Sequence, residues 1–192
     1  MNWWITIILN RLKVSGRFRT NCYLFGDENT KEIGIIDPGI DSNKVKSVVN
    51  REGYKPVCLI GTHAHHDHIQ CAIDIMDYFN IPFLIKDFGQ RKVENINFIR
   101  ENDVIEIGAE HLHVIETPGH TRNDIMLIDY KNMLVFTGDA LLRGRIPRQL
   151  TNYNQLMDSI RKILYYPKIS DEFKIYPGHG GHSTIGKEKL EY

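Results

Sequence analysis

Four histidines and an aspartate crowd the heptapeptide 62–68, T-H-A-H-H-D-H, directly after the apolar run Val57-Cys58-Leu59-Ile60-Gly61. Imidazole nitrogens and carboxylate oxygens are the lone pairs that divalent cations bind, and the apolar run reads as a buried strand. Donors packed this densely at a strand end point to metal-ligand chemistry; without a cation they would repel or compete for protons. If the chain leaves the strand extended, His63 and His65 project to one side and can share an ion, while His66 faces the other way. Asp67 and His68 open the next element, where Ile69, Ala72, Ile73, Met76 and Phe79 recur at helical spacing. From there they can reach a second ion beside the first.

The second half supplies single donors at the ends of apolar runs: His120 in T-P-G-H-T, Asp139 in T-G-D-A and His179 in Y-P-G-H-G. Each follows a glycine, which lets the backbone turn sharply and approach a site closely. His63, His65 and His120 then make three nitrogen ligands for one ion, and Asp67, His68 and His179 make a mixed set for another. Asp139 can bridge the two and leave positions for a shared water, the arrangement of a hydrolytic two-metal site. His111 and His113 alternate on one strand face and read as a surface pair. His182 lies near His179 and is a candidate substrate contact.

The elements that must position these residues alternate between strand and helix. Strands are expected over residues 3–9, 21–25 and 33–36, closed by the turn Asp37-Pro38-Gly39. Ser42 is the expected N-cap of a helix that ends near Gly53 and buries Val45, Val48 and Val49. After the histidine cluster and its helix to about Phe79, residues 82–85 read as a strand, and the charged stretch 87–100 as a mobile helical excursion over the site. Strands follow over 104–107, 112–116, 125–129 and 133–136, then a helix over 153–165 with Leu156, Ile160, Ile163 and Leu164 on one face. This order indicates an α/β layered fold. No linker or low-complexity segment divides it, so a single catalytic domain over residues 1–192 is expected.

Composition narrows the function. The 24 basic and 24 acidic side chains cancel, and no Lys/Arg tract forms a phosphate-binding face, so nucleic acid is not an expected partner. Residues 3–9 are apolar but too few to span a bilayer, and they lack the marks of an export signal; a cytoplasmic protein with no membrane partner is expected. Cys22, Cys58 and Cys71 are odd in number, without CxxC spacing, and read as reduced core thiols.

In order, N-C-Y-L, I-D-P-G, T-H-x-H-x-D-H, T-P-G-H-T, T-G-D and Y-P-G-H-G make the chain resemble the metallo-β-lactamase superfamily, specifically its glyoxalase II-like branch. The resemblance covers nearly the whole chain. It implies an αββα sandwich, two mixed β-sheets with helices on the outer faces, and a dinuclear zinc centre at one edge, with iron or manganese as alternatives. It assigns His63, His65 and His120 to the first metal, Asp67, His68 and His179 to the second, and Asp139 to the bridge. The segment L-L-R-G-R-I-P-R after Asp139 is similar to the family's loop ending in Gly-Arg, with Pro147 where glycine is usual. Full-length glyoxalase II enzymes carry a further helical domain that holds much of the glutathione moiety, and a single-domain form without it is expected here.

Two cations about 3.5–4 Å apart would lower the pKa of a bridging water toward neutrality, making a metal-bridging hydroxide the nucleophile. A thiolate leaving group, with a solution pKa near 8.5, needs no strong general acid, whereas an amide nitrogen does. The expected activity is therefore hydrolysis of a thioester or related activated ester, with Asp67 and Asp139 the catalytic carboxylates. The substrate expected is a small anionic acyl thioester, bound by a monomer or small homo-oligomer. Arg143, Arg145 and Arg148 crowd the loop after Asp139; Arg148 matches the Gly-Arg position and, with Arg145, is a candidate for an anionic group. Three alternatives stand beside this. One is a mononuclear iron persulfide dioxygenase using His63 or His65, His120 and Asp139; the others are a lactamase-type amide hydrolase and a metal-binding protein without turnover.

Overall fold

The first half of the chain builds one sheet and its covering helices. Strands β1 (Ile7–Lys13), β2 (Asn21–Asp27) and β3 (Glu32–Ile36) form an antiparallel meander. Then come α1 (Ser42–Glu52), β4 (Lys55–Gly61), α2 (His66–Ile69), α3 (Ala72–Phe79), β5 (Phe83–Lys86) and β6 (Ile96–Ile99). The last three strands add in parallel, so the six-stranded order is β1-β2-β3-β4-β5-β6. The second half contributes β7 (Val104–Ile107), β8 (Glu110–Glu116), β9 (Ile125–Asp129), β10 (Leu134–Gly138), α4 (Tyr153–Leu164), β11 (Lys174–Pro177), β12 (Ser183–Thr184) and α5 (Ile185–Glu188). They form a second six-stranded sheet in the order β12-β11-β10-β9-β8-β7, in which only β10 and β11 are parallel. This computed structural model describes residues 7–13, 19–39, 41–86 and 94–192.

Side-chain alternation along the strands explains the layering. In β2, Cys22 and Leu24 turn outward to pack with Val45 and Val49 of α1 and Ile75 and Met76 of α3, while Tyr23 and Phe25 turn inward. Across the gap, Ile125 and Leu127 of β9 and Leu134 and Phe136 of β10 meet them. The alternate residues Met126, Ile128 and Val135 face Leu156, Ile160 and Ile163 of α4. With period two, the central strands β2, β9 and β10 are apolar on both faces and can lie only between two other layers. The molecule is thus an αββα sandwich, as expected.

Several local expectations are corrected. β1 occupies Ile7–Lys13, later than the stretch read from residue 3, of which residues 3–6 lie outside the described residues. Of the stretch 87–100 read as helical, residues 87–93 also lie outside them, but Ile96–Ile99 is a strand that extends β5 in parallel. The unsatisfied edge of β5 and the pair Phe98-Ile99 outweigh the charged flanks. Helix α1 is capped by Asp41, one residue before Ser42, through a bond from Lys44 N–H to its carboxylate, and it ends at Gly53 as read. The continuous helical pattern from Ile69 is broken at Cys71, whose N–H is drawn to Pro38 O and Gly39 O. That break rotates α3 so that Ile73 is 49% exposed and Ile75 is fully buried. The cysteines are free thiols; burial pushes Cys22 far up and Cys58 to about 12.

Phe136 joins the two sheets. It is 1% exposed, with ring centroids 5.3 Å from Tyr23 and 5.5 Å from both Phe25 and Tyr176. Phe136→Ala is expected to cost about 3–5 kcal/mol in urea unfolding; a loss below about 1 kcal/mol would mean that the sheets are held together elsewhere.

Candidate metal centre

Strands β8 and β10 are both antiparallel to β9, and β10 is parallel to β11, so the three point the same way. The loops that follow them therefore leave from one edge of the second sheet. These loops carry His120, Asp139 and His179, and the segment after β4 brings His63, His65, Asp67 and His68 to the same edge. The chain stays extended through His65, at φ −67° and ψ 141°, before α2 begins. Asp67 and His68 then project from the first turn of that helix.

The donor atoms form interlocking sets. His65 Nδ1 is 3.0 Å from both His63 Nε2 and His120 Nε2. His68 Nε2 and His179 Nε2 are 3.3 Å apart, with Asp67 Oδ2 at 3.3 Å from His179 and 3.9 Å from His68. Asp139 stands between: its Oδ2 is 3.3 Å from His179 Nε2 and 3.8 Å from His120 Nε2, and its Oδ1 is 3.6 Å from His68 Nε2. Tetrahedral ligands at zinc-like bond lengths stand roughly 3.3 Å apart, so these spacings fit a divalent cation. The electrostatics fit as well. Asp139 Oδ1 is buried with no hydrogen-bond partner, which is costly for a carboxylate unless a cation serves it.

Surrounding groups fix which nitrogen faces inward. A carbonyl only accepts, so the 2.7 Å contact between His120 Nδ1 and Gln149 O places the proton on Nδ1 and leaves Nε2 bare. Thr62 Oγ1 donates to Asp37 Oδ2 at 2.9 Å and so must accept from His63 Nδ1 at 3.2 Å, which bares His63 Nε2 likewise. Asp37 also takes the Thr62 N–H at 2.8 Å and lies 2.9 Å from His68 Nδ1, off the line of a formed hydrogen bond. Thr20 Oγ1 donates to Asp67 Oδ2 at 2.8 Å. The His179 loop is held by β2: Asn21 Nδ2 donates to Pro177 O at 2.9 Å and Tyr23 OH to the same carbonyl at 2.7 Å.

Burial and the neighbouring imidazoles push His63 well down, and burial with His120 pushes His65 down, so both are neutral and ready to ligate. Burial opposes ionisation of Asp67 and Asp139, but the hydrogen bond from His179, the Thr20 hydrogen bond to Asp67 and the neighbouring imidazoles together outweigh it and hold both carboxyls low. Burial likewise opposes a charge on His179, yet those carboxylates raise it to about 10. A cation at this cluster competes with protons for the same lone pairs.

All seven residues read as metal-competent come together here. The glycine expectation holds at Gly178, where a Cβ would collide with Asp139 Oδ1 and, at 2.6 Å, His68 Cε1. His66 is exposed and outside the cluster. His111 is exposed and His113 stacks on Tyr130 at 4.8 Å, both away from it. His182 is exposed at the rim, 4.5 Å from the Tyr176 ring. Arg143, Arg145 and Arg148 are exposed too, and Arg148 adjoins the Gln149 that holds His120. The orienting groups Thr20, Asp37, Thr62 and Gln149 were not assigned from sequence. Asp37 had a signal: a carboxylate directly after the apolar β3, which sits at φ 52° and is turned into the core instead of solvent.

No helix among the described residues is long and apolar enough to cross a membrane. Comparison with known proteins agrees with the geometry. Hydroxyacylglutathione hydrolase GloC of Haemophilus influenzae is 28% identical over 195 residues, covering 90% of this chain and 91% of its own. The crystal structure of BLEG-1 B3 metallo-β-lactamase superposes with a TM-score of 0.83 at 27% identity, covering 95% and 96% of the two chains. That of ETHE1 from Myxococcus xanthus gives 0.84 at 29%, covering 96% of this chain and 82% of that one. The family model for the metallo-β-lactamase superfamily matches residues 15–179, and with this fold and donor cluster the chain belongs to that superfamily.

Proposed function

We propose that the protein is a dinuclear metallohydrolase acting on a thioester or similarly activated ester. The observation that carries this is the pair of donor sets meeting at Asp139: His63, His65 and His120 on one side, Asp67, His68 and His179 on the other. The superfamily and these clusters together imply divalent-metal binding. When bound, divalent cations supply Lewis acidity, lowering the pKa of water toward 7 and polarising a carbonyl oxygen. The chain's own contribution is orientation. Gln149, Thr62 and Thr20 hold the ligating rings and the Asp67 carboxylate in place, so little reorganisation is needed during reaction. With Asp67 and Asp139 held ionised and taken up as ligands, neither carboxyl is free to protonate a leaving nitrogen, which favours a thiolate as leaving group. The similarity to a hydroxyacylglutathione hydrolase supports the same choice. Amide hydrolysis is the second reading, supported by the likeness to BLEG-1.

The deciding experiment is a screen of metal-quantified protein against acyl thioesters of several thiols, with a lactam and a phosphodiester alongside. Two zinc or similar ions per chain and turnover of thioesters are expected. Asp139→Asn should keep the fold and lower kcat by roughly a hundredfold or more, as the loss of several kcal/mol of charge stabilisation implies. One ion per chain with full hydrolysis would sink the dinuclear reading, and a single iron with oxygen uptake would support the dioxygenase instead.

His63→Ala should abolish nearly all metal-dependent turnover, since it removes a buried ligand, whereas the exposed His66→Ala should change it little. Equal losses of metal and turnover in the two variants would contradict the assignment.

Arg148, exposed and next in sequence to the residue that holds His120, is the proposed contact for an anionic group through a charge-assisted hydrogen bond. Arg148→Ala should lower kcat/KM by roughly tenfold to a hundredfold on an acidic thioester and little on a neutral one. Equal losses on both would assign Arg148 to loop shape.

A further inference from the structure

Two guanidinium groups that the proposed function leaves unassigned converge beside His179. Arg11, on β1 of the first sheet, donates from Nη1 to Gly180 O at 3.3 Å. Arg143, on the loop after β10 of the second sheet, lies over the next residue: its Nη1 is 3.2 Å from where a Cβ on Gly181 would stand. The Gly180-Gly181 dipeptide they share begins immediately after His179 and has no side chains to fill the space. Among the described residues neither arginine meets a carboxylate. Arg51 and Arg161, by contrast, each pair with an acid.

Arg143 is also braced from behind. Arg145 N–H closes a turn onto Leu142 O at 3.3 Å, and Gly144 supplies the left-handed φ of 62° that its third position needs. The Gly144 N–H donates at 2.9 Å to Oε2 of buried Glu188, whose Oε1 accepts from Ser183 Oγ. On the other flank the His182 ring stacks on Tyr176 at 4.5 Å, and Tyr176 meets Tyr23 edge-on at 5.7 Å. Burial and then the Arg11 charge push His182 down. Two guanidiniums without a carboxylate partner over bare backbone, with an aromatic flank, are the chemistry of carboxylate and phosphate recognition.

We infer that Arg11 and Arg143 form an anion-binding subsite on the His179 side of the centre, taking a carboxylate or phosphate that the substrate carries away from its reacting carbonyl. This deepens the proposed function and rests on it only for what reacts. Arg148, by contrast, is next in sequence to Gln149, which holds His120 of the other donor set.

The test is calorimetry on the full, zinc-loaded chain with two matched pairs of non-hydrolysable S-(2-oxopropyl) thioethers. One pair is N-acetylcysteinylglycine and its C-terminal amide; the other is pantetheine 4′-phosphate and pantetheine. The charged member of at least one pair should bind roughly tenfold to a hundredfold more tightly than the neutral one, and the pair that shows it identifies carboxylate or phosphate. Arg143→Gln should remove about tenfold of that preference, Arg11→Lys should retain most of it, and the Arg11→Gln/Arg143→Gln double variant should abolish it with neutral binding unchanged. Equal affinities within both pairs, no binding of any compound, or a preference that survives in the double variant would overturn the subsite. Zinc loss in Arg11→Gln, with the preference intact in Arg143→Gln, would overturn it too, assigning Arg11 to support of the His179 loop. If the preference holds but no thioester turns over, the subsite stands and the reaction assignment falls.

Discussion

Lone pairs facing one another across about 3 Å repel, and the molecule places those of His63, His65, His68, His120, His179, Asp67 and Asp139 around one point. Such a cluster is tolerable only where a cation organises it, because burial has stripped away the water that would otherwise screen it. His63 and His68 are almost wholly buried and Asp139 has an oxygen with no partner, so the arrangement is costly by itself and must be imposed by the rest of the fold. The three-cluster core does this. It sets where the ends of β4, β8, β10 and β11 lie, and so brings the donors together.

Most of the orienting hydrogen bonds cross between elements distant in sequence. Tyr23 and Asn21 of β2 hold Pro177 of β11, Thr20 reaches Asp67, and Gln149 reaches His120. The centre is therefore completed only when the two sheets pack, with the Tyr23, Phe25, Phe136 and Tyr176 rings forming the joint. Stability and site geometry are one property here, and substitutions in that aromatic joint should disturb both.

Net charge says little about the substrate. The 24 acids and 24 bases cancel, yet Arg11 and Arg143 lie beside the loop after His179 while acids such as Asp27, Glu110 and Asp129 are tied up in hydrogen bonds elsewhere. The local field at the site is set by this distribution and not by the total.

Donor chemistry and strand alternation were legible from sequence because both are local. The T-H-A-H-H-D-H run, the glycines before His120, Asp139 and His179, and the period-two pattern of β2, β9 and β10 depend on residues a few positions apart. The αββα layering follows from strands that are apolar on both faces. Where local pattern competed with tertiary demand, sequence reasoning failed. Ile96–Ile99 became a strand because β5 had an edge to satisfy, and the helix after the histidines broke where Cys71 found partners in the Pro38-Gly39 turn. Only the tertiary structure decided that Asp37 turns inward against Thr62 and His68, or that Arg11 meets the His179 loop across 169 residues of sequence. Such contacts are set by the packing of two sheets, and no short-range periodicity encodes them.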